Sequence, residues 1–269
     1  CATACPVPER TGAMKVVTDA RELPSACAFV PTMGALHAGH ASLFTLAKKY
    51  SEDVVASIFV NPLQFENEED LAKYPRTPEL DIEIAAASGV TYLWLPQQSE
   101  IYPDGFSTVS AGPIGDIYEG KSRPGHFDGV LTVVRRLFDL VRPKVAIFGE
   151  KDFQQLHLIK TIAGDIEIVT APTIRENDGL AMSSRNVRLT PEDRTAAQVI
   201  YRALSESTSE AQLRAILASE PALTVDYADF IDEKTFVHAQ SDTENVRALV
   251  AGWINGVRLI DNMPMGIRA

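Results

Sequence analysis

Apolar runs alternate with helically spaced stretches through the first half of the chain. Cys27–Val30 is a short apolar run, residues 38–50 carry apolar positions at helical spacing, and Asp53–Val60 is a second apolar run. Together they predict a βαβ unit with strands buried on both faces. The alternation continues with a helix over residues 78–88, a strand over Val90–Leu95, a helix over 128–141 and a strand over Val145–Phe148. Met14–Val17 reads as a strand start, and Ile166–Val169 closes the series. The pattern predicts an α/β fold, a Rossmann-like parallel sheet with helices on both faces. In such sheets ligands bind beyond the carboxyl ends of the strands, so the segments after Val30, Val60 and Phe148 should converge.

Beyond residue 174 the rhythm changes. Residues 175–188 are polar and short-stepped, and a helix then starts at a Thr190 cap followed by Pro191, as first helical turns favour. A polar helix over 209–219, a strand over Val225–Ile231 and a closing strand over Val257–Ile260 complete a smaller C-terminal α+β domain. The expected division is an N-terminal extension over 1–13, a Rossmann-like domain over 14–173 and a smaller domain over 174–269. A chain of 269 residues is long enough for two such cores.

Composition narrows the function classes. A net charge of −11 argues against a broad nucleic-acid-binding face, which would need clustered Lys and Arg. No apolar run reaches the length of a membrane-spanning helix, so a cytoplasmic protein is expected. Cys1, Cys5 and Cys27 are too sparse for a disulfide framework or a zinc cluster and read as plain thiols.

The candidate chemistry lies at the strand ends. His37 and His40 are three residues apart where a strand meets a helix, which places both rings on one side of the first turn. The free N–H groups and dipole of that helix start suit a phosphate, and Gly34 and Gly39 permit close approach. Taken alone, the pair also fits capping histidines beside an ordinary turn. Asn61, Gln64 and Phe65 after the second strand offer amides and an apolar wall for a hydroxy acid. Gly149, Lys151 and Asp152 follow the strand at 145–148, with Lys151 as a point charge for a phosphate. Ser183, Ser184 and Arg185 add hydroxyls and a guanidinium fork.

The full string Pro31-Thr32-Met33-Gly34-Ala35-Leu36-His37-Ala38-Gly39-His40 resembles the signature of the pantothenate synthetase (pantoate–β-alanine ligase) family, within the His-x-Gly-His nucleotidyltransferases. Phe59–Phe65, Arg123-Pro124-Gly125-His126-Phe127, Phe148–Gln155 and Ile174–Asn186 resemble further segments of that family, in the same order. The resemblance implies an ATP-dependent ligase that condenses pantoate with β-alanine through an acyl-adenylate. It implies ATP binding by Pro31, Thr32, Met33, Gly34, His37, Gly39, His40, Gly149, Lys151, Asp152, Ile174, Met182, Ser183, Ser184 and Arg185. Met33, Asn61, Gln64, Phe65, Gln155, His126 and Arg123 would hold pantoate and β-alanine. His40, His37 and Lys151 would be catalytic, with His40 acting on the phosphate or the leaving pyrophosphate. Mg²⁺ is expected with ATP, Asp81 being the candidate protein ligand, and no tightly bound organic cofactor is expected. A homodimer is implied, for which the apolar second half of the 127–141 helix offers a surface. Two alternatives stay open: a nucleotidyltransferase acting on a phosphorylated acceptor, and a nucleotide-sensing protein without turnover.

Overall fold

The computed structural model describes residues 13–65 and 68–266. The expected extension therefore lies, apart from Ala13, outside the described residues, as do Cys1 and Cys5; Cys27 is a buried free thiol. The first part runs β1 (Lys15–Val17), β2 (Ala28–Thr32), α1 (Ala38–Ala47), β3 (Val54–Ile58), α2 (Glu68–Lys73), α3 (Pro78–Ala87) and β4 (Tyr92–Trp94). It continues with α4 (Gln98–Ile101), α5 (Glu119–Ser122), α6 (His126–Val141), β5 (Val145–Gly149), α7 (Phe153–Ile162) and β6 (Glu167–Ala171).

The six strands form one parallel sheet in the order β1-β4-β3-β2-β5-β6. Alternate residues of each central strand serve opposite faces. Val30, Ala56, Leu93 and Ile147 pack with Phe44 of α1 and Ala85 of α3. Phe29, Val55, Trp94 and Phe148 pack with Leu131, Val134 and Leu137 of α6 and Leu156 of α7. The chain leaves β2 toward β3 on one side and later returns to β5 on the other, so the carboxyl ends of β2 and β5 flank the topological switch point.

The C-terminal part contains α8 (Pro191–Glu206), α9 (Glu210–Leu217), β7 (Leu223–Asp232), β8 (Val246–Ile254) and β9 (Val257–Met265). Thr190 caps α8 as expected, in a reciprocal capping box with Asp193. The three strands form an antiparallel sheet with β8 in the middle. One face packs Phe230, Val250 and Leu259 on α8 and α9. The other contributes Ile231 and Leu249 to the core of the first part, where Phe236 stacks on Phe153 at 6.0 Å.

Helix α6 is not the dimer surface suggested by its composition. Leu137, Phe138 and Val141 are all buried within the single chain, because this helix lies between the sheet and its neighbouring helices. Its apolar second half is core.

Candidate functional site

A cavity of about 300 Å³ opens at the carboxyl ends of β2, β3 and β5. Its walls include every site residue expected from the sequence except Gly34 and Asp81. The segments after β2, β3, β5 and β6 therefore converge on one space.

His37 is the N-cap of α1 and His40 occupies its third position, with ring centroids 4.2 Å apart. Gly39 N–H donates to His37 Nδ1 at 3.1 Å, and His37 N–H donates to His40 Nδ1 at 3.3 Å. Since both Nδ1 atoms accept, each neutral ring carries its proton on Nε2. Burial, reinforced by His37, pushes His40 down to about 3; burial and the Lys151 charge lower His37. At neutral pH the pair is two uncharged N–H donors held by the helix start, not two cations.

Gly34 and Asp81 serve the loop itself. Gly34 has φ +84° and Ala35 φ +49°, a left-handed pair that turns consecutive amides toward one point. Asp81 occupies that point. Its Oδ2 accepts from Ala35 N–H at 3.1 Å, and its Oδ1 accepts from Leu36 N–H at 2.7 Å and from the Thr77 hydroxyl at 3.0 Å. A Cβ on Gly34 would sit 2.9 Å from Asp81 Oδ2, so the missing side chain makes room for this carboxylate and not for a nucleotide. Asp81 is buried, lies outside the cavity lining and has its oxygens committed, which does not fit the metal-ligand role expected from the sequence. Asp81→Ala should lower folding stability by about 1–3 kcal/mol for each orphaned N–H, read as a fall in the denaturant midpoint. Unchanged stability with an altered Mg²⁺ requirement would restore the metal role.

In the turn after β3 the amide of Gln64 is aimed by its neighbours. Asn61 Nδ2 donates to Gln64 Oε1 and to the Gly129 carbonyl, both at 3.1 Å, while Asn61 Oδ1 accepts from Leu63 N–H and the Tyr102 hydroxyl. Asn61 is thus fully used and acts as a brace, a correction to its expected role as a direct contact. With Oε1 occupied, Gln64 presents its NH₂ beside Met33, with Nε2 2.8 Å from Sδ. His126 braces the same residue. Its Nε2 accepts from Arg123, leaving Nδ1–H to donate to the Gln64 carbonyl at 2.9 Å, and burial beside Arg123 holds it neutral at about 4. Arg123 Nη2 reaches the same carbonyl at 3.3 Å.

Helix α6 approaches this turn so closely that a Cβ on Gly129 would lie 2.2 Å from the Leu63 carbonyl oxygen. Gly129→Ala should push the turn away and raise the KM of the acid substrate by about 10- to 100-fold, with a smaller change in ATP KM. Steady-state kinetics with each substrate varied in turn checks this. An equal rise in both would contradict it.

Of the two adjacent glutamines, Gln154 accepts from Glu119 N–H and donates to the carbonyls of Ile114 and Ile117, so it is structural. Gln155 lines the cavity and, among the described residues, has no such commitments.

Among the described residues, Lys151, Arg123 and Arg185 line the cavity with one carboxylate, Asp152, so a locally cationic set lies within an acidic chain. Lys151 Nζ stands 3.6 Å from Asp152 Oδ1, a loose pairing that leaves the ammonium able to meet another anion. Burial pushes the Asp152 carboxyl up, but the Lys151 and Arg185 charges outweigh it and keep the group below its usual range. Gly149 has open space where a Cβ would be. Ser183 caps a short 3-10 turn through Arg185 N–H.

Sequence reasoning missed Tyr74 and the apolar wall of Val130, Val133 and Val134 on α6. The first sits edge-on to Phe65, with ring centroids 5.7 Å apart. Nothing in the local sequence separates a valine that faces a ligand from one in the core.

A family model described as pantoate-beta-alanine ligase matches residues 8–264. The chain is 46% identical to a pantothenate synthetase of Acidothermus cellulolyticus, over 98% of this chain and 93% of that protein. Its fold is similar to the crystal structure of pantothenate synthetase from Thermus thermophilus, with a TM-score of 0.88, 41% identity, and coverage of 94% and 100% of the two chains. It is also similar to the pantoate-beta-alanine ligase of Francisella tularensis complexed with beta-gamma ATP and beta-alanine. There the TM-score is 0.80, the identity 37%, and the coverage 94% and 98%.

Proposed function

This chain belongs to the pantoate–β-alanine ligase family, and from that premise we propose how its cavity performs the reaction. The chain is an ATP-dependent ligase that condenses pantoate with β-alanine to give pantothenate. In the proposed course the carboxylate of pantoate attacks the α-phosphorus of ATP, and pyrophosphate leaves. The β-alanine amine then attacks the acyl carbon of the pantoyl adenylate, and AMP departs.

Charge gathers on phosphoryl oxygens in the first step, so donors fixed beforehand lower its barrier. His37 and His40 supply neutral N–H groups, while Lys151, Ser183 and Arg185 supply cationic and hydroxyl donors. Gln64 and Gln155 receive the polar groups of pantoate, and Val130, Val133 and Val134 face its two methyls. Met33 and Phe65 complete that wall. Arg123 and His126 act mainly through the backbone of Gln64. The observation carrying this reading is one cavity whose walls combine an oriented amide with cationic and N–H donors.

Mg²⁺ belongs to the proposal as the partner of ATP, held mostly by phosphates and water. Asp152, the carboxylate on the cavity wall among the described residues, is its candidate protein ligand in place of Asp81; the ion would neutralise phosphate charge. The division at residue 174 is also proposed: 14–173 holds nucleotide and acid, and 174–269 covers the adenylate from water. A homodimer and a cytoplasmic setting complete the reading; among the described residues no helix is long and apolar enough to cross a membrane.

Exchange of labelled pyrophosphate into ATP tests the order of steps. Exchange should require pantoate and proceed without β-alanine. Exchange that needs a phosphate ester instead would make the protein a nucleotidyltransferase.

A further inference from the structure

Two neighbouring residues of β9 reach in opposite directions to the two segments that bring Lys151 and Ser183–Arg185 to the cavity. Successive side chains of a strand point to opposite faces. Leu259 faces α8 and α9, and Asp261 shares that side; Asn262 lies on the other, against the first part of the chain.

Asn262 Nδ2 donates to the carbonyls of Glu150 and Lys151, at 3.0 and 2.8 Å. Its NH₂ group has two hydrogens, so this pair uses it fully. The orientation of the amide follows from Arg247, which is buried and donates to Asn262 Oδ1. Arg247 also donates to Glu150 Oε1 and Glu233 Oε1, each at 2.8 Å, and its guanidinium lies 4.1 Å from the Phe153 ring centroid. The turn that presents Lys151 is therefore gripped by the second sheet through its backbone.

Asp261 forms a bidentate pair with Arg175, with distances of 2.6 and 3.0 Å. Arg175 opens the segment that leads to Ser183 and Arg185; it also donates to the Gly179 carbonyl, and it lies 4.8 Å from the Tyr201 ring centroid. Asp261 and Asn262 are about 95% buried, so neither can be satisfied by bulk water.

We propose that Asp261 and Asn262 are positioning residues that fix the spacing of the phosphate cradle: Asn262 sets Lys151, and Asp261 sets the segment bearing Ser183 and Arg185. The inference rests on the function proposed above. It makes the second sheet a built-in part of the adenylation site as well as a cover over it. Asn262 touches no reacting atom; it acts through Lys151.

A double-mutant cycle tests this with pantoate-dependent pyrophosphate exchange as the readout. Asn262→Asp keeps the shape but removes both donors and sets a carboxylate against two carbonyl oxygens. Alone it should lower kcat/KM for ATP by about tenfold or more; in a Lys151→Ala background it should cost less than about twofold, since residues acting as a unit are not additive. Aminolysis of preformed pantoyl adenylate by β-alanine should stay within about twofold of the parent. An equal loss in both backgrounds, or no loss at all, overturns the inference. If Asn262→Asp lacks a cooperative melt, Asn262→Ser, which keeps one donor, is run through the same cycle, and the same outcomes support or overturn the inference. Absence of exchange in the unsubstituted protein would instead overturn the proposed function.

Discussion

Replacing His40 by alanine is expected to slow pantoate-dependent adenylation by about 10²- to 10³-fold, the range for losing one preorganised donor to a developing oxyanion. The ring is fixed by its place in the third position of α1, by the His37 amide and by the 4.2 Å contact with the His37 ring. Removing it also breaks half of the capping box, at a cost of about 0.5–2 kcal/mol, so the variant should still fold. Because His40 is pushed down to about 3, it acts as a neutral Nε2–H donor at pH 7. Two consequences separate this from an imidazolium acid. His40→Gln, which retains an N–H donor, should recover part of the rate. The rate should also not rise as pH falls through 6.5, because the folded-state ring stays unprotonated until far lower pH. A rise there, abolished in His40→Gln, would contradict the neutral-donor assignment.

Lys151→Ala should lower the adenylation rate by at least about tenfold and raise ATP KM, because it removes a fixed charge from where phosphoryl charge accumulates. The ammonium is half-committed to Asp152 at 3.6 Å, while its backbone carbonyl is held by Asn262. Lys151→Arg should not fully restore activity, since a planar fork differs in reach and shape from a point charge. Initial rates over an ATP series decide this. Near-parental kinetics in Lys151→Ala would remove the residue from the site.

Much of the first part was legible because its strands are short apolar runs bounded by chemistry at their carboxyl ends. The string around His37 and His40 and the Gly149–Gln155 segment lie where the parallel sheet puts ligands, and both line the cavity. Strand β8 escaped notice for a physical reason. Packed on both faces as the middle of its sheet, it shows no period-two alternation, and Arg247 and Gly252 interrupt its apolar run. Gly252 is needed there, since a Cβ would lie 2.8 Å from the Thr224 carbonyl oxygen.

Asn61 and Asp81 show where residue type stops informing. An amide beside a strand end can contact a ligand or brace the residue that does, and only the four partners of Asn61 decide for bracing. A carboxylate in a nucleotide-binding protein suggests a metal, yet Asp81 fills a nest of amides formed by a left-handed turn 46 residues away. Backbone sign and long-range pairing of this kind leave no local sequence signal.

The most direct test of the account is AMP release by the purified protein with ATP and Mg²⁺, pantoate and β-alanine each omitted in turn. Sustained AMP formation only with both, matched by an equal amount of pantothenate, is the predicted result. AMP formation at the full rate without pantoate, or none with every component present, would contradict it.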